Sequence, residues 1–113
     1  MRAPYRLRLA PEVAGQLGRY LSPIVATMRT EFEGRRQARE PGAGDRLVID
    51  LSAAATVPSA QLVVLVNLLR AALGNEVEIG LSGVRPMVLG SLVSFDLPHD
   101  VAVLDARGRR WTG

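Results

Sequence analysis

The sequence predicts an α/β domain: a mostly parallel β-sheet with helices packed on it. Three observations lead there. Strand-like and helix-like apolar periods alternate along the chain in the order β-α-β-α-β-α-β. One strand-like run, Leu47-Val48-Ile49 with Leu51 close behind, is apolar almost without interruption, as strands buried on both faces of a parallel sheet are. The chain also has 113 residues, 48% hydrophobic and 22% charged, which suits one globular domain better than two domains or a disordered segment.

Each element has its own signal. Tyr5, Leu7 and Leu9 alternate with Arg6 and Arg8, the period of a half-buried strand. Pro11 opens a helical pattern in which Val13, Leu17, Leu21, Ile24, Val25, Met28 and Phe32 recur at spacings of three and four. Pro23 lies inside this stripe and is expected to kink or split the helix, with Ser22 as the cap of the second piece. The polar stretch from Gly34 to Asp45, containing Pro41-Gly42-Ala43-Gly44, reads as a loop. Arg46 to Leu51 forms the apolar strand, and small residues from Ser52 to Val57 connect it to a helix from about Pro58 to Leu73. Gly74-Asn75 ends that helix and Val77 to Leu81 is the next strand. Gly83 turns the chain, Pro86 opens a helix to about Ser94, and Pro98 closes that pattern. Val101 to Leu104 is the last strand, ahead of a polar tail from Asp105 to Gly113 in which Trp111 is expected to fold back over a helix. No repeat is evident, and residues 1–113 read as a single domain.

Several function classes find no support. The chain has no cysteine, which excludes disulfides and thiol chemistry. His99 is the only histidine, so a multi-histidine metal site is excluded and no cofactor is expected. Ser59, Asp50 and His99 do not form a recognisable hydrolase triad, because no Gly-x-Ser-x-Gly elbow surrounds Ser59. Gly80-Leu81-Ser82-Gly83 lacks the lysine of a phosphate-binding loop and reads as a turn. The chain is therefore read as non-enzymatic. Its net charge is +3 and all its basic residues are arginines, spread along the chain rather than clustered, so no nucleic acid is expected as a partner. No apolar run approaches the roughly 20 residues of a membrane span. Charged residues interrupt the N-terminus at once, and the default expectation is a cytoplasmic protein.

From Arg46 to Leu104 the sequence resembles the STAS family, named for sulphate transporters and anti-sigma-factor antagonists. The resemblance rests on Leu47-Val-Ile-Asp50-Leu51-Ser52, then Thr56-Val57-Pro58-Ser59-Ala60-Gln61-Leu62, then Val77 to Val84, Val88 to Leu97, and Val101 to Leu104. Residues 1–45, with one strand where the family usually has two, are divergent. The resemblance implies a bacterial-type regulatory domain that binds another protein, such as an anti-sigma or kinase-like partner, and it leaves room for self-association. It also implies that Ser59 stands where the family's phosphorylated Ser or Thr does. The partner surface it implies is centred on Val57, Pro58, Ser59, Ala60, Gln61 and Leu62; if the exposed flank of the following helix takes part, Gln61, Asn67 and Arg70 form its polar rim. A phosphate at a helix start is well accommodated electrostatically and would repel an interface packed on the neutral hydroxyl. The plainer reading is that Ser59, or Thr56 before it, caps the helix. Pro58 and Gln61 depart from the family's Asp and Gly, which keeps open a constitutive scaffold or transporter-associated subunit without a switch. The helix from Leu62 to Leu73 is apolar nearly all round, so either the domain's own helices cover it or one flank is a binding surface.

Overall fold

The computed structural model describes residues 4–38, 45–92, 94–95 and 101–111. Its elements are β1 (Tyr5–Arg8), α1 (Pro11–Gly15), α2 (Leu17–Ala38), β2 (Asp45–Asp50), α3 (Ser59–Leu73), β3 (Val77–Val84), α4 (Pro86–Leu92) and β4 (Ala102–Asp105). The strands form one sheet in the order β1-β2-β3-β4, and every pairing is parallel. The α/β class and the alternating order read from the sequence are therefore present.

Chain order and sheet order coincide, and that decides the layering. Right-handed crossovers between successive strands set every helix on the same face. There α2 packs on α3, and α3 on α4. Leu47, Ile49, Ile79, Leu81 and Val103 point from the sheet into this layer and are buried. They meet Leu62, Leu65, Val66 and Leu69 of α3, together with Leu17, Met28 and Phe32 of α2. The apolar run of β2 thus has only one covered face: Val48 is half-buried and Arg46 exposed on the other. The expectation of a strand buried on both faces is corrected, because a sheet wound in sequence has no crossover to spare for its second face.

The N-terminal helix breaks at Gln16 rather than at Pro23. Ala10 is extended and Pro11 supplies a preset φ at the first turn, so α1 starts cleanly. Gln16 departs to φ −128°, ψ 39°, and its amide bonds back to Val13, after which the Arg19 amide restarts the ladder on the Gln16 carbonyl. Pro23 stays inside α2, with Ser22 as an interior residue rather than a cap. Both Pro23 and Arg19, whose carbonyl it cannot serve, lie on the exposed side. The stripe of Leu17, Leu21, Ile24, Val25, Met28 and Phe32 runs past the proline in phase, and packing holds the helix where propensity alone would not.

α2 continues to Ala38, so helix occupies the first part of the stretch expected to be a loop. Residues Pro41 to Gly44, Pro98 and His99 lie outside the described residues. The end of α2 is fastened to the sheet by Arg35, whose guanidinium lies 5.4 Å from the ring centroids of both Tyr5 and Phe32 and 3.5 Å from the carboxylate of buried Asp45. β3 extends to Val84, past the expected end at Leu81, with a register shift between Leu81 and Val84. At the C-terminus Arg110 bridges antiparallel to Leu104, and the Trp111 amide donates to the Val103 carbonyl at 2.8 Å. Trp111 does fold back: its backbone pairs along β4 and its half-buried side chain packs against the core.

Candidate protein-binding surface

The connection from β2 to α3 is held at its start by three residues. Asp50 closes β2 with its side chain on the sheet's free face, only 4% exposed. One carboxylate oxygen accepts the Ser52 amide at 2.9 Å; the other accepts Arg6 at 3.1 Å and Arg8 at 3.4 Å. The Ser52 hydroxyl and amide, with Arg6 and Arg8, hold the carboxyl down at about 2 against the opposing effect of burial. Gly83 lies directly beneath Ser52, so close that it admits no side chain. From the start of α4, Arg85 donates to the Ala54 carbonyl at 3.2 Å and the Ser52 carbonyl at 3.5 Å.

This bracing delivers the chain to α3 in a defined pose. Val57 is buried and anchors the approach. Pro58 occupies the N-cap position with an extended backbone, and its carbonyl accepts the Leu62 amide at 2.9 Å. Ser59 is the first helical residue rather than the cap, and no side chain caps this helix. The capping role expected as the plainer reading of Ser59 or Thr56 is therefore not filled; with a proline at the N-cap there is no side-chain acceptor for the first amides. The half-buried Ser59 hydroxyl makes no hydrogen bond among the described residues.

Ser59 borders a surface groove of about 410 Å³ between the start of α3 and α4, lined by Thr56, Val57, Pro58, Met87 and Phe95 among others, none of them charged. Met87 is 75% exposed and Phe95 39%. Ala60 belongs both to this groove and to the outer face of α3, where Val64 and Leu68 are exposed. Among the described residues, five large apolar side chains are exposed, and Tyr20 is the only one of them away from α3 and α4. The domain itself covers most of the apolar helix, burying Leu62, Val63, Leu65, Val66, Leu69 and Leu73, and leaves Val64 and Leu68 exposed.

The residues expected to form the surface divide into two sets. Pro58, Ser59 and Ala60 come together at the groove. Leu62 is fully buried in the core and presents nothing outward. Gln61 turns to α2, where its side-chain oxygen accepts the Gly18 amide at 3.0 Å. Arg70 binds the Gly74 and Val77 carbonyls at 3.0 and 2.8 Å, tying the end of α3 to β3. Asn67 is exposed on the outer face, with its amide nitrogen on the Val63 carbonyl of its own helix. Gln61 and Arg70 thus serve the fold where a polar rim was expected, because both have backbone partners within reach. Accordingly, Gln61→Ala should lower stability by about 1 kcal/mol, the worth of one ordinary hydrogen bond, while leaving partner binding unchanged; a urea midpoint and a capture assay check the two halves.

Met87 and Phe95 escaped the sequence reading. Their signal is a second stripe, Met87, Ser91 and Phe95, offset by one residue from the core stripe of Val88 and Leu92. No helix among the described residues is long and apolar enough to cross a membrane. No family model, curated protein or solved structure matches the chain.

Proposed function

We propose that this chain is a non-enzymatic, cytoplasmic protein-binding domain of the STAS kind, whose partner docks over the groove between α3 and α4. The observation that carries the reading is that Met87 and Phe95, large apolar side chains left in water, line a groove with no charged side chain among its described residues, and that the outer face of α3 next to it exposes Val64 and Leu68 as well. Exposed apolar surface of this kind marks interfaces. Partner contacts then fall on Pro58, Ser59, Ala60, Met87 and Phe95, with Asn67 at the margin.

In this reading Ser59 is the control point. Ser59 lines the groove and is not engaged in capping, and phosphorylation disturbs no hydrogen bond of its hydroxyl among the described residues. A phosphate would bring a charge of about −2 into a groove whose described lining is uncharged, and an apolar partner would lose its fit. A constitutive docking surface is the second reading: among the described residues no basic side chain lines the groove to receive a phosphate.

The test captures partners from native lysate with the wild type, Met87→Glu, Ser59→Glu and Ser59→Ala in parallel. Met87→Glu should weaken capture of a defined partner by roughly tenfold or more, as loss of an interface anchor does, with an unchanged melting temperature. Ser59→Glu should do likewise and Ser59→Ala should retain binding. Equal capture by wild type and Met87→Glu sinks the docking surface. Loss with Met87→Glu but full binding by Ser59→Glu removes the switch and leaves the constitutive subunit.

A further inference from the structure

The opposite face of the sheet carries no covering layer among the described residues, although all-parallel sheets ordinarily are covered on both faces. Its side chains follow from the register. Arg6, Val48, Gly80 and Ala102 form one row across the strands; Arg46 and Glu78 lie to one side of it, and Arg8, Asp50 and Ser82 to the other. A trough of about 570 Å³ runs over this face, with Val48, Gly80, Ala102 and Leu104 in its floor and Arg46 and Arg110 at its margins.

The charge on this face is one-sided. Arg6, Arg8, Arg46 and Arg110 are exposed, while among the described residues Glu78, paired with Arg46 at 3.0 Å, is the only exposed acid beside them, since Asp50 is buried beneath Arg6 and Arg8. The Arg110 guanidinium has no ion-pair partner among the described residues, and Arg8 spends only Nε on Asp50. These charges select the occupant. A second copy of the chain would set four arginines against four, with one exposed glutamate on each side to offset them. A nucleic acid would find no aromatic ring on the face for its bases to stack on. A helix fits by size: four strands spaced about 4.8 Å apart put the β1 and β4 edges about 14 Å apart, and a helix with its side chains is about 10–12 Å across.

We propose that the free face of the sheet is a second docking surface, separate from the α3–α4 groove, for an acidic amphipathic helix of a partner protein. The helix lies along the strands. Its apolar stripe sits on Val48, Ala102 and Leu104, and its flanking carboxylates reach Arg46, with Arg6 and Arg8, on one side and Arg110 on the other.

The probe is a synthetic helical peptide of about 18 residues, five turns, with a leucine stripe flanked by glutamates, beside a twin carrying lysines instead. Titrated into the isotope-labelled full chain, the acidic peptide should shift the amide resonances of Val48, Gly80, Ala102 and Leu104, and the lysine twin should not. Arg46→Glu with Arg110→Glu should weaken binding of the acidic peptide by roughly tenfold, more at low salt than at high. Both arginines are exposed, and a thermal melt confirms that the variant is folded. Met87→Glu should bind like wild type, which separates this proposal from the groove. Equal binding of the two peptides, shifts confined to Met87 and Phe95, an unaffected double variant, or no shift at about millimolar peptide would each overturn it.

Discussion

Gly83→Ala should destabilise this protein by about 3 kcal/mol or more, from the addition of one methyl group. Two effects combine. Gly83 has φ +67°, in the left-handed region where a side chain costs about 1–2 kcal/mol by itself. A Cβ there would also stand 2.8 Å from the Ser52 nitrogen, 2.9 Å from its Cβ and 3.0 Å from its Cα. These atoms cannot easily give way. The Ser52 amide is held by Asp50 at 2.9 Å, and the Leu51 amide beside it donates to the Ser82 carbonyl at 2.9 Å. The internal comparison is Gly108, which has φ +79° and nothing within 4 Å of where a methyl group would stand. Gly108→Ala should cost only the dihedral strain, about 1–2 kcal/mol. Urea midpoints at constant slope measure both. Equal losses for the two would show that the approach of Ser52 to Gly83 has no energetic weight.

The second large effect belongs to Asp50. Its carboxyl is lowered from 3.8 to about 2 in the folded protein, first by the Ser52 hydroxyl, then by the Ser52 amide, Arg6 and Arg8, with burial acting in opposition. The unfolded chain therefore binds the proton more tightly than the folded one. Stability from this group is fully present above about pH 4 and is lost as the pH falls toward 2; linkage puts the amount at about 2 kcal/mol. Asp50→Ala should cost about 2–3 kcal/mol at neutral pH, since it also leaves the Ser52 amide without its acceptor. Arg6 and Arg8 keep their access to water, which holds the loss below that of a fully buried pair. The difference in stability between wild type and Asp50→Ala, followed from pH 7 down to 2, should shrink across the acid end. A constant difference would mean that Asp50 acts through packing alone.

The strand and helix order was legible because each element announces itself locally. Leu47 and Ile49 read as strand, the Pro11 and Pro86 starts read as helix beginnings, and Gly74 reads as an end. What local pattern does not carry is which face is covered. Val48 is as apolar as its neighbours, yet it points away from the helices, because strand order, a property of the whole chain, decides the layering. The break at Gln16 was hidden for a similar reason: Pro23 is the stronger local signal, and the packing of Met28 and Phe32 overrides it. At the candidate surface, Pro58, Ser59 and Ala60 could be placed from the start of α3. Gln61 could not be assigned, since its partner Gly18 is remote in sequence, and Arg70 could not, since only the folded turn brings the Val77 carbonyl to it. Met87 went unread because only the offset from the core stripe of Val88 and Leu92 sets it outside.

The coincidence of chain order with sheet order has a consequence for assembly. Each strand closes only onto its predecessor, and the closures shorten along the chain: Tyr5 meets Leu47, Asp45 meets Val77, and Gly80 meets Ala102. The entropy lost in closing a loop grows with its length. The ladder therefore forms most cheaply at its C-terminal end, and β1 joins last across the longest span. β1 is also an edge strand of four residues, with a neighbour on one side only. Local opening of the sheet should begin there, and when β1 leaves, Arg6 and Arg8 leave with it, uncovering the Asp50 carboxylate that holds the start of the β2–α3 connection.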